Sequence, residues 1–135
     1  FIPVLSERTT VKDINIERIK KIIIESSEQS NRISVPEINK LVTLKNFIHN
    51  FPQKGCLIFC DINSDKSDLK KILSKKDLGP ICILIGPEGD FSENERKLII
   101  ELNQSHSISL ATNILRAETA ALAAVTLVNY HLNLS

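Results

Sequence analysis

Short, predominantly apolar runs are the feature that most constrains the fold of this chain. CLIFC at residues 56–60, ICILI at 81–85 and SISLA at 107–111 each have the length of a strand, and segments with helical periodicity separate them. A strand that is apolar on both sides must be buried on both of its faces. Strands of this kind that alternate with helices are typical of a parallel sheet covered on both faces by helices. The sequence therefore predicts an α/β fold.

The remaining elements follow from apolar periodicity and from helix-start signals. FIPVL, at residues 1–5, is expected to form a further buried strand. Helices are predicted at residues 14–30, 41–48 and 68–74, from the capping box Ser92-x-x-Glu95 through residue 102, and at 116–134.

Length and composition exclude several classes of protein. With 135 residues, 42% of them hydrophobic, and a net charge of +1, the chain suits one compact domain. No apolar stretch approaches the roughly 18 residues of a membrane span, and FIPVLSERT does not have the pattern of a signal peptide, so we expect a cytoplasmic protein. The three cysteines do not form a disulfide framework. Cys56 and Cys60 lie about 13 Å apart along a strand, too far to share a metal ion, and no metal is expected.

The loop GPEGD, residues 86–90, follows a predicted strand at the sheet edge where α/β proteins bind ligands. Gly86 and Gly89 free the backbone for positive φ or for close approach to a ligand, and Pro87 stiffens the turn. The loop lacks the Lys-Ser/Thr of a phosphate-binding loop and the dinucleotide fingerprint. Glu88 at its tip is suited to meet a cation or to accept a hydrogen bond from a sugar or base. An ordinary turn with a solvated glutamate remains the alternative.

The loop LATNILRAETAA, residues 110–121, places Arg116 at the start of a helix. A cation there is unfavourable by up to about 1 kcal/mol unless it binds something, whereas Glu118 suits the helix dipole. Arg116 and Glu118 are the only charged residues from position 104 to the end of the chain. This isolation indicates a functional Arg116, with a simple ion pair between Arg116 and Glu118 as the alternative.

GPEGDFSENE followed by SLATNILRAETAALAA resembles the SPOUT methyltransferases, and within them the bacterial 16S rRNA (uracil-N3)-methyltransferase family, ribosomal small subunit methyltransferase E. IPVLSERT, and ESSEQSNR with Pro36 shortly after it, are similar to the family's other signatures in the same order. The resemblance therefore covers most of the chain. It implies a parallel α/β fold with a C-terminal trefoil knot, an S-adenosyl-L-methionine pocket formed by the knotted loops, and a homodimer packed through them.

The resemblance also implies which residues act. The cofactor would be lined by Ile85, Gly86, Pro87, Glu88, Gly89, Leu110, Ala111, Asn113, Ile114, Leu115 and Arg116. The substrate would be a uridine N3 of small-subunit ribosomal RNA. Arg116 would stabilise the reacting base or grip the nucleotide, Glu88 would orient cofactor or substrate, and Glu118 would support Arg116 through an ion pair. Arg8, Gln29 and Arg32 are expected to face RNA, because Arg binds phosphate and Gln reads base edges. Ordinary solvated residues are the alternative for all three.

The chain departs from the family pattern in its loops. Asp90 and Ala111 stand where the family has glycine, and Asn113 stands where an Arg is common. If position 90 or position 111 needs positive φ, the residue that replaces glycine there destabilises the backbone by about 1 kcal/mol, and Asp tolerates this conformation better than Ala. We expect these changes to affect cofactor affinity, and one RNA contact, rather than the fold.

The start of the chain also departs from the family. FIPVL is not preceded by the family's RNA-binding barrel or by the first strand and helix of its catalytic domain, and the sequence contains no Met. We therefore expect residues 1–135 to be a C-terminal fragment with little RNA methylation by itself. Two other functions stay open: a non-catalytic RNA-binding or dimerisation module with a degenerate cofactor site, and a SPOUT enzyme that acts on another RNA position.

Overall fold

The computed structural model describes residues 1–10, 13–65, 68–75 and 77–133. The elements, in chain order, are β1 (Val4–Leu5), α1 (Ile16–Gln29), β2 (Val42–Thr43), α2 (Leu44–His49), β3 (Cys56–Cys60), α3 (Leu69–Leu73), β4 (Ile81–Leu84), α4 (Glu93–Glu101), β5 (Ser105–Ile108) and α5 (Ala117–Asn133). β1 pairs with β2, and a separate sheet has the order β4–β3–β5; all of these pairings are parallel. The predicted α/β fold with parallel strands is confirmed.

Some predicted element boundaries are wrong. The last strand occupies Ser105–Ile108 instead of residues 107–111, because pairing with β3 aligns Leu57 with Ser105 and Cys60 with Ile108, and the chain beyond has already turned away. The predicted strand FIPVL forms only at its end, since Phe1 and Ile2 are exposed and only Val4–Leu5 pairs with β2. β2 itself lies within residues predicted as helix. Residue 134, the predicted end of the last helix, lies outside the described residues.

The core is built around β3, whose side chains alternate between the two faces of the sheet. Cys56 and Ile58 pack with apolar residues of α3 and α5, while Leu57 and Phe59 pack with residues of α2 and α4. All four side chains are almost fully buried. Helices therefore cover both faces of this sheet, as the apolar runs predicted.

The connections determine where a ligand can enter. α3 links β3 to β4 on one face of the sheet, and α4 links β4 to β5 on the other face. The chain thus leaves the neighbouring strands β3 and β4 towards opposite faces, which opens a crevice at their carboxyl ends. Within the described ranges, no helix is both long enough and apolar enough to cross a membrane.

Candidate functional site

A cleft of about 730 Å³ lies beyond the carboxyl ends of β3, β4 and β5. This volume is in the range of about 300–1,000 Å³ that is usual for small-molecule sites. Every cofactor residue predicted from the loops lines the cleft: Ile85, Gly86, Pro87, Glu88, Gly89, Leu110, Ala111, Asn113, Ile114, Leu115 and Arg116. The fold therefore brings the two motif-bearing loops together around one space.

The loop after β4 is a tight turn in which the Asp90 N–H donates to the Pro87 carbonyl at 2.9 Å. Neither Gly86 nor Gly89 has positive φ, so the left-handed alternative for these glycines is wrong. The left-handed conformation falls on Asp90, with φ of 58°. Asp90 stabilises it with its own side chain, because Oδ1 accepts the Phe91 N–H at 2.8 Å.

At Gly86 the neighbouring side chains limit the space for a side chain, while the predicted close approach to a ligand stays a prediction. A Cβ added there would lie 3.2 Å from the Phe91 ring and 3.3 Å from Asp90 Oδ1. The Phe91 ring is buried and packs edge-on against Phe59, with 5.8 Å between ring centroids. Because this ring is fixed, a larger residue at Gly86 would have to project into the cleft or displace the core.

The departure from glycine at Ala111 carries no backbone strain. Among the described non-glycine residues, only Asn31 and Asp90 have φ in the left-handed region. The Ala111 carbonyl accepts a hydrogen bond from Ser109 Oγ at 3.1 Å, which fixes the start of the loop. Of the two departures, only Asp90 therefore occupies a backbone conformation that favours glycine.

Arg116 lies on the wall of the cleft, immediately before the first residue of α5. Its carbonyl accepts the Ala120 N–H at 2.9 Å, while its side chain is exposed. The predicted ion pair with Glu118 is wrong: the ion pairs of the described residues do not include either side chain. Residues two apart at a helix start do not face each other, which explains the separation. Glu118 does not line the cleft.

The segment after β3 contributes residues to the cleft that the motifs did not predict. Cys60, Asp61 and Ile62 line the cleft, together with Asp90, Ala117 and Ala120. Burial raises the pKa of the Cys60 thiol to about 12, so this thiol is protonated at neutral pH. The run CLIFCD could have predicted Cys60 and Asp61, because they lie at the carboxyl end of an apolar strand and the carboxyl ends of parallel strands meet at one edge of a sheet.

Asp61 is a buried carboxylate at the base of the cleft and is held by α4. Arg96 donates to Asp61 Oδ2 from Nε at 2.9 Å and from Nη2 at 2.6 Å. Asp61 Oδ1 accepts the Asn63 N–H at 2.9 Å. The Asp61 side chain is 2% exposed and that of Arg96 36%, so the pair joins the interior to the surface. No group of His, Cys, Asp and Glu within the described part of the chain is arranged to hold a metal ion.

The predicted RNA-facing residues are in two places. Arg8 reaches the rim of the cleft, where its Nη1 donates to the Gly89 carbonyl at 3.0 Å. Gln29 and Arg32 are exposed at the end of α1 and do not line the cleft. Asn31, with φ of 52°, turns the chain between them, and the Arg32 N–H donates to the Ser27 carbonyl at 2.9 Å.

Fold and cleft define the class: a parallel α/β domain with a small-molecule site at the carboxyl edge of its sheet. A family model described as an RNA methyltransferase domain matches residues 1–129, and the chain belongs to this family. The family resemblance predicted from the loop motifs is therefore confirmed.

Individual relatives agree with this assignment. Ribosomal RNA small subunit methyltransferase E of Rickettsia conorii is 34% identical over 126 residues, which cover 93% of this chain and 51% of the relative. The crystal structure of ribosomal RNA small subunit methyltransferase E from Neisseria gonorrhoeae bound to S-adenosyl methionine matches with a TM-score of 0.82 and 29% identity, over 96% of this chain and 53% of that one. A putative methyltransferase from Legionella pneumophila in complex with the bound cofactor SAM matches with a TM-score of 0.78 and 27% identity, over 96% and 54% of the two chains. The chain thus spans about half the length of these relatives.

Proposed function

We propose that this domain binds S-adenosyl-L-methionine in the cleft and serves the transfer of its methyl group to N3 of a uridine in 16S ribosomal RNA, in the cytoplasm. One observation carries the proposal: the two loops with the family motifs, at 86–90 and 110–116, line the same cleft of about 730 Å³. The bound S-adenosyl methionine of the Neisseria relative supports the choice of cofactor.

The chemistry of the lining fits this cofactor. Adenine is planar and apolar with hydrogen-bonding edges, so it suits aliphatic walls and exposed backbone groups. Ile85, Leu110 and Leu115 are half-buried in the lining and provide such walls. The turn from Gly86 to Gly89 lines the cleft, and the glycines at its two ends place no side chain between the backbone and a ligand.

The cleft residues can also promote the transfer. S-adenosyl-L-methionine supplies a methyl group on a positively charged sulfur, open to in-line attack. Uracil N3 must lose its proton before it attacks, and negative charge then spreads over the flanking carbonyl oxygens. Arg116 has no carboxylate partner among the described ion pairs and lies on the cleft wall, so its guanidinium is free to stabilise that charge.

Two glutamates complete the proposed site. Glu88 is exposed at the tip of the turn and lines the cleft, which suits it to orient the cofactor or the nucleotide. Glu118 stands in the first turn of α5, where a carboxylate interacts favourably with the helix dipole. Because Glu118 does not pair with Arg116, its proposed support is limited to the start of this helix. Gln29 and Arg32 are proposed to contact RNA further from the cleft.

The family's homodimer and trefoil knot are part of the same proposal. α5 leaves Leu122, Val125 and Tyr130 exposed at 72%, 48% and 60%, and Ile114 in the preceding loop is 85% exposed. Several exposed large apolar side chains on one helix and its preceding loop suit an interaction site. A second copy of the chain that covers this face would lie next to the cleft.

The cofactor assignment is tested by calorimetric titration of S-adenosyl-L-methionine into the purified chain. We expect micromolar binding that is lost in Gly86→Leu, because the new side chain enters the cleft. Lys45→Leu adds the same side chain on the exposed surface of α2 and should bind normally. A folded wild-type chain that does not bind the cofactor would contradict the proposal and favour a non-catalytic module.

The catalytic assignment needs a methylation assay. In a protein that contains this domain and methylates 16S RNA, Arg116→Ala should abolish methylation and leave the fold intact. Mass-spectrometric mapping of the modified nucleotide tests the N3 position separately. Full activity of Arg116→Ala would refute its role, and a methyl group at another position would refute the proposed substrate atom.

A further inference from the structure

Glu95, in the first turn of α4, is a carboxylate that is only 6% exposed. Its Oε2 accepts the Ser92 N–H at 3.1 Å, and Ser92 Oγ accepts the Glu95 N–H at 3.2 Å, which completes the predicted capping box. Its Oε1 accepts the Glu7 N–H at 2.8 Å, from the turn after β1. Glu and Gln serve a capping box equally well, but only a carboxylate places acceptors at two separate N–H groups.

The hydrogen bonds of Glu95 offset the free-energy cost of burying its carboxylate. The ion pairs of the described residues do not include Glu95. A buried carboxylate without a cation is unfavourable unless hydrogen bonds satisfy its oxygens. The backbone N–H groups of Glu7 and Ser92 do so, and the side chain therefore fastens the turn after β1 to the start of α4.

The turn that Glu95 binds, residues 6–9, is also stabilised by hydrogen bonds within it. The Ser6 N–H donates to Thr9 Oγ1 at 3.1 Å, the Thr9 N–H donates to the Ser6 carbonyl at 3.2 Å, and the two hydroxyls lie 2.7 Å apart. Arg8 lies within this turn, directly after the residue that Glu95 holds. The Arg8 side chain donates from Nη1 to the Gly89 carbonyl at 3.0 Å. Arg8 is thus fixed through its backbone neighbour and through its own side chain.

We propose that Glu95 is a positioning residue that holds Arg8 at the rim of the cleft to bind a phosphate of the substrate RNA; this rests on the proposed function. Arg8 is exposed, and its bond to Gly89 uses one of several guanidinium donors, whose fork geometry suits phosphate. Glu95 accepts hydrogen bonds both from Ser92, two residues after the cofactor loop, and from Glu7. One carboxylate therefore fixes the position of the phosphate-binding Arg8 relative to the cofactor loop.

Glu95→Gln tests this role, because it keeps the size of the side chain but replaces one acceptor with a donor. We expect affinity for a fluorescent hairpin of small-subunit ribosomal RNA to fall on the order of tenfold. The slope of log affinity against log salt concentration should decrease by about one, since one phosphate contact is lost. Cofactor affinity should be unchanged, and the Glu7 amide should exchange its hydrogen faster.

Ser92→Ala is the matched control, because it removes the cap hydroxyl and leaves the Glu7 bond in place. It should leave RNA affinity, the salt slope and Glu7 exchange unchanged. Arg8→Ala should reproduce the RNA defect of Glu95→Gln, and the double variant should be no worse than either single variant. This non-additivity separates positioning from general destabilisation.

Several outcomes would overturn the proposal: normal RNA binding by Glu95→Gln, additive losses in the double variant, or an RNA defect of Ser92→Ala as large as that of Glu95→Gln. If Glu95→Gln does not fold, Arg8→Ala provides the test, because Arg8 is exposed and its loss should not affect folding. An unchanged slope of log affinity against log salt concentration in Arg8→Ala would refute the phosphate contact of Arg8 and therefore the positioning role of Glu95. A wild-type chain that binds S-adenosyl-L-methionine but not the RNA hairpin refutes this inference alone. A wild-type chain that fails to bind the cofactor counts against the proposed function itself.

Discussion

Removing either partner of the ion pair between Arg96 and Asp61 should destabilise the domain, but by unequal amounts. The reason is burial: the Asp61 side chain is 2% exposed and the Arg96 side chain is 36% exposed. Arg96→Met would leave a buried carboxylate whose one remaining side-chain hydrogen bond to the described residues is that from the Asn63 N–H. Asp61→Asn would instead leave a guanidinium that water already reaches.

The magnitudes follow from this difference. Breaking a buried pair by removing one partner costs about 3–5 kcal/mol when the remaining charge is fully enclosed. Water can enter where Arg96 is removed, and one backbone hydrogen bond to Asp61 persists, so we expect about 2–3 kcal/mol for Arg96→Met. For Asp61→Asn we expect about 1 kcal/mol, because the loss is mainly that of charge-assisted hydrogen bonds.

Urea unfolding followed by circular dichroism measures both values, provided that the slope of stability against urea is unchanged. Lys97→Met is the matched control, since Lys97 is next to Arg96 on α4 and forms a 3.8 Å pair with Glu101 that is exposed on both sides. It should cost less than about 0.5 kcal/mol. A loss for Asp61→Asn that equals or exceeds the loss for Arg96→Met would refute the reasoning from burial.

Further predictions concern the loop and the thiol of the cleft and the exposed surface of α5. Asp90→Ala should be less stable than Asp90→Gly by about 1 kcal/mol in urea unfolding, because only glycine adopts positive φ without strain; equal stability would contradict this. Because burial raises its pKa to about 12, Cys60 should react with iodoacetamide at pH 8 much more slowly than an exposed thiol, and faster as the pH rises; peptide mass spectrometry measures this. Leu122→Glu should convert the proposed dimer into monomers in light scattering, and an unchanged mass would exclude this face.

The sequence predicted those parts of the site that lie within continuous motifs. The resemblance of the two loop motifs to the family implied the cleft-lining residues of both loops, and the capping box of Ser92 and Glu95 was predicted because its partners are three residues apart. The bonds from Glu95 to Glu7 and from Arg96 to Asp61 were not predicted. They join segments that only the folded chain brings together, and no local periodicity encodes them.

The wrong strand boundary has the same physical origin. SISLA was predicted as the last strand because its apolar residues are in 107–111, but the register with β3 places Ser105 and His106 in the strand and leaves Leu110 in the cleft. Strand register is set by the neighbouring strand and not by the strand's own composition. The left-handed conformation was likewise predicted as one alternative at Gly86 but occurs at Asp90, because the hydrogen-bonded turn as a whole determines which of its residues adopts positive φ.

The central place of β3 in its sheet has a consequence for how the chain folds. β3 pairs with β4 on one side, but its other side must wait for Ser105–Ile108, after α4 has been made. Pairing of residue 57 with residue 105 is a distant contact along the chain, and contacts of this kind slow folding. During synthesis, the apolar strand Cys56–Cys60 therefore keeps one edge unpaired until most of the chain has emerged, and an open apolar edge is prone to pair with other chains.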